Sequence, residues 1–203
     1  MVLDDSPIKS VADLKGKKVG FSVGGFEDAL LKAMLSQHQL TLKDVELINV
    51  NWSLSPSLIT KKVDAVIGAF RNFELNQMDI EGFPGRAFYV EEEGVPIYDE
   101  LIYVANQKSR DDPALGLFIE AVQAATVFIV NHPDEAWEIF KSTNPDQLDN
   151  ELNRRAWKDT LSRFSLQPAS LDAGRYNRFA EFMLSQDLIS KIPDLDTYTA
   201  VVR

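Results

Sequence analysis

DAVIGAFRNFE, residues 64–74, places a short apolar run directly before aromatic, cationic, amide and acidic side chains. The apolar run, 65–69, predicts a buried strand. Ligands of open α/β sheets bind beyond the carboxyl ends of such strands. Phe70, Asn72 and Glu74 therefore stand where a flat, nitrogen-rich small molecule could be stacked and hydrogen-bonded. We expect this strand end to form part of a small-molecule site.

A second predicted strand end has the same character. The segment 18–23 alternates and is rich in residues typical of strands, and Gly24, Gly25, Phe26 and Glu27 follow it before a helical pattern. Backbone N–H groups at the start of a helix can bind anions or carbonyl oxygens. The alternative is a plain strand-to-helix turn, in which Glu27 interacts favourably with the helix dipole. Both interpretations remain open from these residues alone.

Strands and helices alternate through the first half of the chain, and helices alone follow. Apolar alternation and short apolar runs predict strands at 18–23, 47–51, 64–69, 86–90 and 101–105. Apolar residues at helical spacing predict helices at 26–39, 55–62, 71–79, 113–131, 133–142, 149–164, 171–185 and 188–202. Trp137 and Trp157 lie on apolar faces of two of these helices, so we expect them in the core. This order of elements predicts an α/β fold with a helical tail.

Composition excludes several classes of function. The net charge of −10, without a lysine or arginine stripe, argues against nucleic acid and against an anionic membrane surface as partners. The absence of cysteine excludes disulfides, thiolate metal sites and cysteine nucleophiles, and two histidines are too few for a histidine-rich metal site. We expect no catalytic residue, no metal and no cofactor. We also expect no transmembrane helix, because Gly116, Glu120 and Gln123 interrupt the longest apolar segment.

Three stretches resemble a known family. They are PIKSVADLKGKKVG at 7–20, DAVIGAFRNFE at 64–74 and GVPIYDEL at 94–101. The first is similar to the start of the second lobe in periplasmic-binding-protein-like domains of the aliphatic-sulfonate and thiamine-pyrimidine type. The other two are similar to the branch that binds thiamine-pyrimidine precursors. The resemblance implies an α/β fold of the periplasmic binding protein type II, a three-layer αβα architecture.

The resemblance also implies how the chain is divided. Residues 1–12 lead into the fold, 13–99 form a complete second lobe, and 100–203 form the C-terminal half of the first lobe, one strand followed by helices. Members of the family carry a longer N-terminal segment that completes the first lobe. Without it, the strand at 101–105 would keep an unpaired edge and the helices would expose apolar surface. We therefore expect self-association of the chain.

The resemblance assigns roles to the residues at the strand ends. It implies that Glu74 accepts hydrogen bonds from the amine of an aminopyrimidine, that Phe70 stacks on the ring, and that the turn Gly24 to Glu27 contacts the ligand. Tyr98 lies on the crossover between the lobes and would reach into the cleft. Each has an alternative: Glu74 as a first-turn carboxylate, Phe70 as a core residue, Asn72 as a helix cap and Tyr98 as part of a solvated linker.

The function implied by the resemblance is ligand binding without chemistry. The intact protein would be the periplasmic or extracytoplasmic substrate-binding protein of an ABC transporter, passing formylaminopyrimidine or hydroxymethylpyrimidine to a permease for thiamine biosynthesis or salvage. The first seven residues lack the cationic and apolar regions of a signal peptide. One alternative is an enzyme like the eukaryotic thiamine-pyrimidine synthases, against which the lack of cysteine counts. Another is a binding protein for sulfonate- or nitrate-type anions, for which Glu74 is awkward because a carboxylate repels an anion.

Overall fold

The computed structural model describes residues 1–200, which divide into two compact units. Unit 1 comprises Met1–Ile97 and Phe179–Lys191, and unit 2 comprises Tyr98–Arg178 and the residues from Ile192 onward. All of the strands belong to unit 1, at Val2–Leu3 (β1), Lys18–Phe21 (β2), Glu46–Asn49 (β3), Ala65–Val66 (β4) and Gly85–Arg86 (β5). Whether these units correspond to the two lobes expected from the sequence stays a prediction.

A three-stranded parallel sheet organises unit 1. Its order is β3-β2-β4, so β2 is central and pairs in parallel with both neighbours. The helices of this unit are Glu27–Gln37 (α1), Leu54–Ile59 (α2) and Glu74–Ile80 (α3). Helix α1 lies between β2 and β3, and α2 lies between β3 and β4, which supplies the crossover connections that parallel pairing requires. The alternation of strand and helix predicted from the sequence is confirmed here.

One cluster in the core of unit 1 forms where α2 and α3 pack beside β4. Its buried residues include Leu58 and Met78, and the whole cluster consists of Val50, Leu54, Leu58, Val63, Val66 and Met78. A second, two-stranded sheet pairs β1 with β5 in antiparallel register. Arg86 of β5 donates to the backbone carbonyls of Asp4, Ser6 and Ile8, which ties the first residues of the chain to this sheet.

Helices form the whole of the regular structure of unit 2 among residues 1–200. They are Pro113–Asn131 (α4), Pro133–Ser142 (α5), Pro145–Leu148 (α6) and Glu151–Thr160 (α7). A further helix, Ala173–Ser185 (α8), begins in unit 2, and its residues from Phe179 belong to unit 1. Trp137 is buried as predicted, and its ring lies 5.7 Å from that of Trp157.

Two predicted elements at the C-terminal side are wrong. The segment 101–105 forms no strand, because no hydrogen bond joins it to any other described residue, and a strand exists only where a partner completes its ladder. The predicted helix at 188–202 is reduced to a 3₁₀ turn at Leu195–Thr197, and its positions 201 and 202 lie outside the described residues. Pro193 accounts for the loss, since proline lacks an N–H and disfavours helix at the preceding residue.

Elements near the strand ends are shorter than predicted. The strand expected at 86–90 is limited to Gly85–Arg86, and the helix expected from Arg71 begins at Glu74.

The expectation about membrane spans also needs correction. Within residues 1–200 one helix, α4, is long and apolar enough to cross a membrane by length and composition, with a hydropathy of 1.8 and 6% of the apolar window buried. The core helix of a soluble protein meets the same criterion, so this is weak evidence for a membrane span.

Candidate functional site

Two of the predicted site loops leave the parallel sheet side by side. Val19 of β2 is opposite Ala65 of β4, and Gly20 is opposite Val66. Immediately beyond them, the N–H of Ile67 donates to the carbonyl of Gly20 at 2.9 Å. Since both strands run in the same direction, their carboxyl ends lie at one edge of the sheet. The structure therefore brings together the two strand ends that the sequence predicted as a site.

Glu27 connects these two strand ends from below the surface. Glu27 is only 7% exposed, and its carboxylate accepts a hydrogen bond of 2.7 Å from the N–H of Ser22. A Cβ added to Gly68 would lie 2.3 Å from Glu27 Oε1, and the φ of Gly68 is +88°. The carboxylate thus fills the space that any larger residue at position 68 would need. This contact makes Glu27 a positioning residue, and its contact with a ligand stays a prediction.

The glycine turn above Glu27 leaves open space. Gly24 and Gly25 are exposed, and a Cβ added to Gly25 would meet no heavy atom within 4 Å. The φ of Gly25 is +89°, which a residue with a side chain rarely adopts. Phe26 is half-buried, with its ring edge-on to that of Phe179 at 6.5 Å. The turn therefore offers accessible backbone, while Phe26 is engaged in packing.

Glu74 folds back onto the loop that precedes its own helix. Its Oε2 accepts a 2.7 Å hydrogen bond from the N–H of Phe70. Burial raises the pKa of the Glu74 carboxyl above its ordinary value, and the hydrogen bond from Phe70 opposes this rise without cancelling it. A partly desolvated carboxylate gains more from an added donor than an exposed one does. Both interpretations made from the sequence, a first-turn carboxylate and a ligand acceptor, are compatible with this geometry.

Aromatic and amide groups flank Glu74. The Phe70 side chain is at the surface, with the residue 45% exposed, so its ring is available for stacking. Asn72 is half-buried, and its carbonyl accepts a bond of 3.0 Å from the side-chain amide of Asn76 one turn later. Phe70 and Glu74 therefore present a ring and a carboxylate within one short loop, while Asn72 takes part in the start of α3.

An ion pair and a histidine–carboxylate hydrogen bond that the sequence did not predict hold this loop and the acidic segment 91–93. Both oxygens of Glu91 lie 2.9 Å from Nη2 of Arg71, whose guanidinium also stands 4.0 Å from the centre of the Tyr89 ring. Glu93 lies 2.7 Å from Nε2 of His38. These contacts fix the loop after β4 against a separate part of unit 1. No signal in one sequence identifies partners so far apart along the chain.

Tyr98 and a cavity belong to unit 2. Tyr98 is half-buried and is the first residue of unit 2, whereas the other predicted site residues belong to unit 1. A cavity of about 210 Å³ adjoins the tryptophans of unit 2 and contains none of the predicted site residues; it is lined by Pro133, Asp134, Trp137, Arg154, Trp157, Lys158 and Leu161. Residues 1–200 hold no group of three histidine or acidic side chains arranged to bind a metal.

Residues 1–136 match the model of the family described as NMT1/THI5 like. The chain belongs to this family. A putative thiamine biosynthesis protein of Haemophilus influenzae is 54% identical over all of this chain and 64% of its own length. The formylaminopyrimidine-binding protein of Halalkalibacterium halodurans is 29% identical over 80% of this chain and 49% of its own length.

More distant relatives carry a different kind of name. The 4-amino-5-hydroxymethyl-2-methylpyrimidine phosphate synthase of Candida albicans is 23% identical over 75% of this chain and 48% of its own length. The chain thus spans between about half and two thirds of these relatives.

A solved structure supports the fold. The periplasmic aliphatic sulphonate binding protein SsuA of Escherichia coli superposes with a TM-score of 0.67 at 19% identity, over 98% of this chain and 65% of SsuA. The predicted α/β fold of the periplasmic binding protein type II is confirmed. At this identity the likeness concerns the fold alone.

Proposed function

We propose that this chain is the ligand-binding part of an extracytoplasmic substrate-binding protein that delivers a thiamine-pyrimidine precursor to an ABC permease. The ligand would be formylaminopyrimidine or hydroxymethylpyrimidine. One observation carries the proposal: a surface aromatic ring, Phe70, lies in the same short loop as the partly buried carboxylate of Glu74 at the ends of parallel strands. The names of the Haemophilus and Halalkalibacterium relatives support the same class of ligand.

The proposed binding uses four kinds of contact and no chemical step. The pyrimidine ring stacks on Phe70, and its exocyclic amine donates to the carboxylate of Glu74, which has acceptor sites beyond the one used by Phe70 N–H. The exposed backbone of Gly24 and Gly25 donates to a ring nitrogen or formyl oxygen. Tyr98 is proposed as a further ligand contact. Glu27 and Asn72 hold the two loops in place.

Calorimetric titration with formylaminopyrimidine tests this proposal. It should be performed on the chain and on a longer version joined to the part of the Haemophilus relative that this chain does not span. Glu74→Gln should weaken binding at least tenfold, about 1.4 kcal/mol, because the amide keeps the shape but loses an anionic acceptor. Glu81→Gln is the matched control at the end of the same helix, where Glu81 bonds Gln77. Equal affinities of the two variants would contradict a ligand role for Glu74.

A synthase-type activity is the second candidate, and the Candida relative is the observation that favours it. The chain contains no cysteine, so a mechanism that needs a thiol is excluded for these 203 residues. Incubation of the chain with pyridoxal phosphate, followed by mass spectrometry for a pyrimidine phosphate, distinguishes a synthase from a binding protein. Formation of that product would replace the binding-protein proposal.

Binding of a sulfonate- or nitrate-type anion is the third candidate. The sulfonate-binding fold neighbour suggests it, and the carboxylate of Glu74 opposes it through charge repulsion. Competition between an alkanesulfonate and formylaminopyrimidine decides between an anion and a pyrimidine as the ligand.

Self-association of the isolated chain also stays a prediction, and sedimentation velocity over a range of concentrations tests it.

A further inference from the structure

The cavity of about 210 Å³ in unit 2 is lined by the first residues of α5 and by one face of α7. We call it the indole cavity, because Trp137 and Trp157 both line it, with ring centres 5.7 Å apart. Arg154 and Lys158 are four positions apart on α7, so they lie on the same face of that helix. Pockets for drug-sized ligands have roughly 300–1,000 Å³, so this smaller cavity suits a single ring with a small substituent.

The charges of the lining favour an anion. Arg154 and Lys158 are exposed, and neither forms an ion pair with any residue in the described part of the chain. The third charged residue of the lining is Asp134. Two cations and one carboxylate leave one net positive charge, which complements a monoanion and disfavours a dianion.

The position of Arg154 favours a carboxylate among the possible anions. Its guanidinium carbon lies 5.7 Å from the centre of the Trp137 ring, within the range of a cation–π interaction. This interaction holds the guanidinium in place before a ligand arrives, so less side-chain freedom is lost on binding. A guanidinium is planar and presents pairs of N–H donors that match the two oxygens of a carboxylate.

The indole N–H of Trp137 gives an independent indication of an occupant. Trp137 is 5% exposed, and its buried N–H has no acceptor anywhere in residues 1–200. The N–H of Trp157, by contrast, donates to the carbonyl of Pro133 at 3.3 Å. Buried donors in folded proteins nearly always have a partner, and an indole N–H can only donate. The group that satisfies Trp137 must therefore be an acceptor.

We propose that the indole cavity binds a small planar monoanion, an aromatic or heteroaromatic monocarboxylate. Its ring packs against the two indoles, its carboxylate pairs with Arg154 and Lys158, and one of its acceptor atoms bonds the N–H of Trp137. The inference goes beyond the proposed function. The lining belongs to unit 2 and contains none of the residues proposed to bind the pyrimidine, so the site stands whichever ligand binds at the strand ends.

Indole N–H signals in nuclear magnetic resonance spectra of the full chain test this proposal. The chain is labelled with ¹⁵N and titrated with benzoate, and the Trp137 signal should move to saturation with a Kd of about 1 mM or tighter. The signal of Trp52, which is exposed in unit 1, should stay in place as the internal reference. Benzamide has the shape of benzoate without the charge and should bind at least tenfold more weakly, as should the dianion phthalate.

Substitutions of the cations provide a second measurement. Arg154→Met and Lys158→Met keep an apolar side chain and remove one charge, and each should weaken benzoate binding at least fivefold. Arg163→Met removes the same charge at an exposed residue outside the lining and should weaken it less than twofold. The comparison of benzoate with benzamide uses the unmodified chain, so it decides the matter even where a substitution disturbs folding.

Four outcomes would overturn the proposal. The first is no movement of the Trp137 signal at about 10 mM benzoate, which would leave water as the occupant. The second is equal affinity for benzoate and benzamide. The third is a loss in Arg163→Met as large as that in Arg154→Met, which would indicate a general effect of net charge. The fourth is displacement of benzoate by formylaminopyrimidine, which would place benzoate in the pyrimidine site.

Discussion

Replacing Gly68 with alanine should destabilise unit 1 through two separable effects. The φ of +88° places Gly68 in a left-handed conformation, which costs a residue with a side chain about 1–2 kcal/mol. The added Cβ would also lie 2.3 Å from Glu27 Oε1, so the carboxylate must move. Moving it breaks the bond from Ser22 N–H, and a bond to a charged group contributes about 1.5–3 kcal/mol. We expect Gly68→Ala to lower the free energy of unfolding by about 2.5–5 kcal/mol.

Gly25→Ala is the matched control for this prediction. Its φ of +89° is nearly the same, but an added Cβ meets no atom within 4 Å, so only the conformational cost of about 1–2 kcal/mol applies. Hydrogen exchange of peptides spanning β2 and β4 over a urea series reports on unit 1 alone. In a Glu27→Ala background, Gly68→Ala should lower the free energy of unfolding no more than Gly25→Ala does. Equal losses for the two glycine variants in the unmodified background would refute the close fit between Gly68 and Glu27.

Three further changes test the packing and charges of unit 1. Met78→Ala should lower stability by about 2–5 kcal/mol, because Met78 is fully buried in the core cluster; a loss under about 1 kcal/mol in urea unfolding would contradict this. Ser55→Ala should raise stability by about 1 kcal/mol, because the buried Ser55 hydroxyl has no partner; a lower urea midpoint would contradict this. Backbone and hydroxyl hydrogen bonds hold the pKa of Asp13 below its ordinary value, so its contribution is present above about pH 4 and is lost as the pH falls through the lowered pKa. Asp13→Asn should therefore reduce stability at pH 7, and the difference from the unmodified chain should shrink as the pH is lowered below about 4, as measured by thermal unfolding at a series of pH values.

The parallel sheet and the location of the site followed from local patterns. The alternation at 18–23 and the apolar run at 65–69 identify strands because a buried strand carries its signal in its own residues. The residues that follow each run lie at one edge of the sheet as a geometric consequence of parallel pairing. The capping box of Ser10 and Asp13 at the 3₁₀ turn Val11–Leu14 is equally local, because its two residues are three positions apart.

The details of the site depend on distant partners, which one sequence does not show. Arg71 and Glu91 are separated by 20 positions, and His38 and Glu93 by 55. The sequence predicted that Glu27 takes part in a ligand-binding turn or interacts with the helix dipole, but it did not predict its burial, which depends on the absence of a side chain at position 68. The segment 101–105 has the composition of a strand and fails to form one, because pairing requires a neighbour that the described chain does not offer.

The tryptophans give unit 2 an optical reporter of its own. Trp52, in unit 1, is 81% exposed, so its fluorescence reports on contact with water. In unit 2, the Trp157 ring stacks on Phe140 at 5.2 Å and lies close to Trp137. Such fixed aromatic contacts give near-ultraviolet circular dichroism that disappears when tertiary packing is lost. Loosening of unit 2 can therefore be followed in one unlabelled sample, by the loss of near-ultraviolet dichroism and by a red shift in the emission of the buried Trp137, while the exposed Trp52 of unit 1 adds a nearly constant emission.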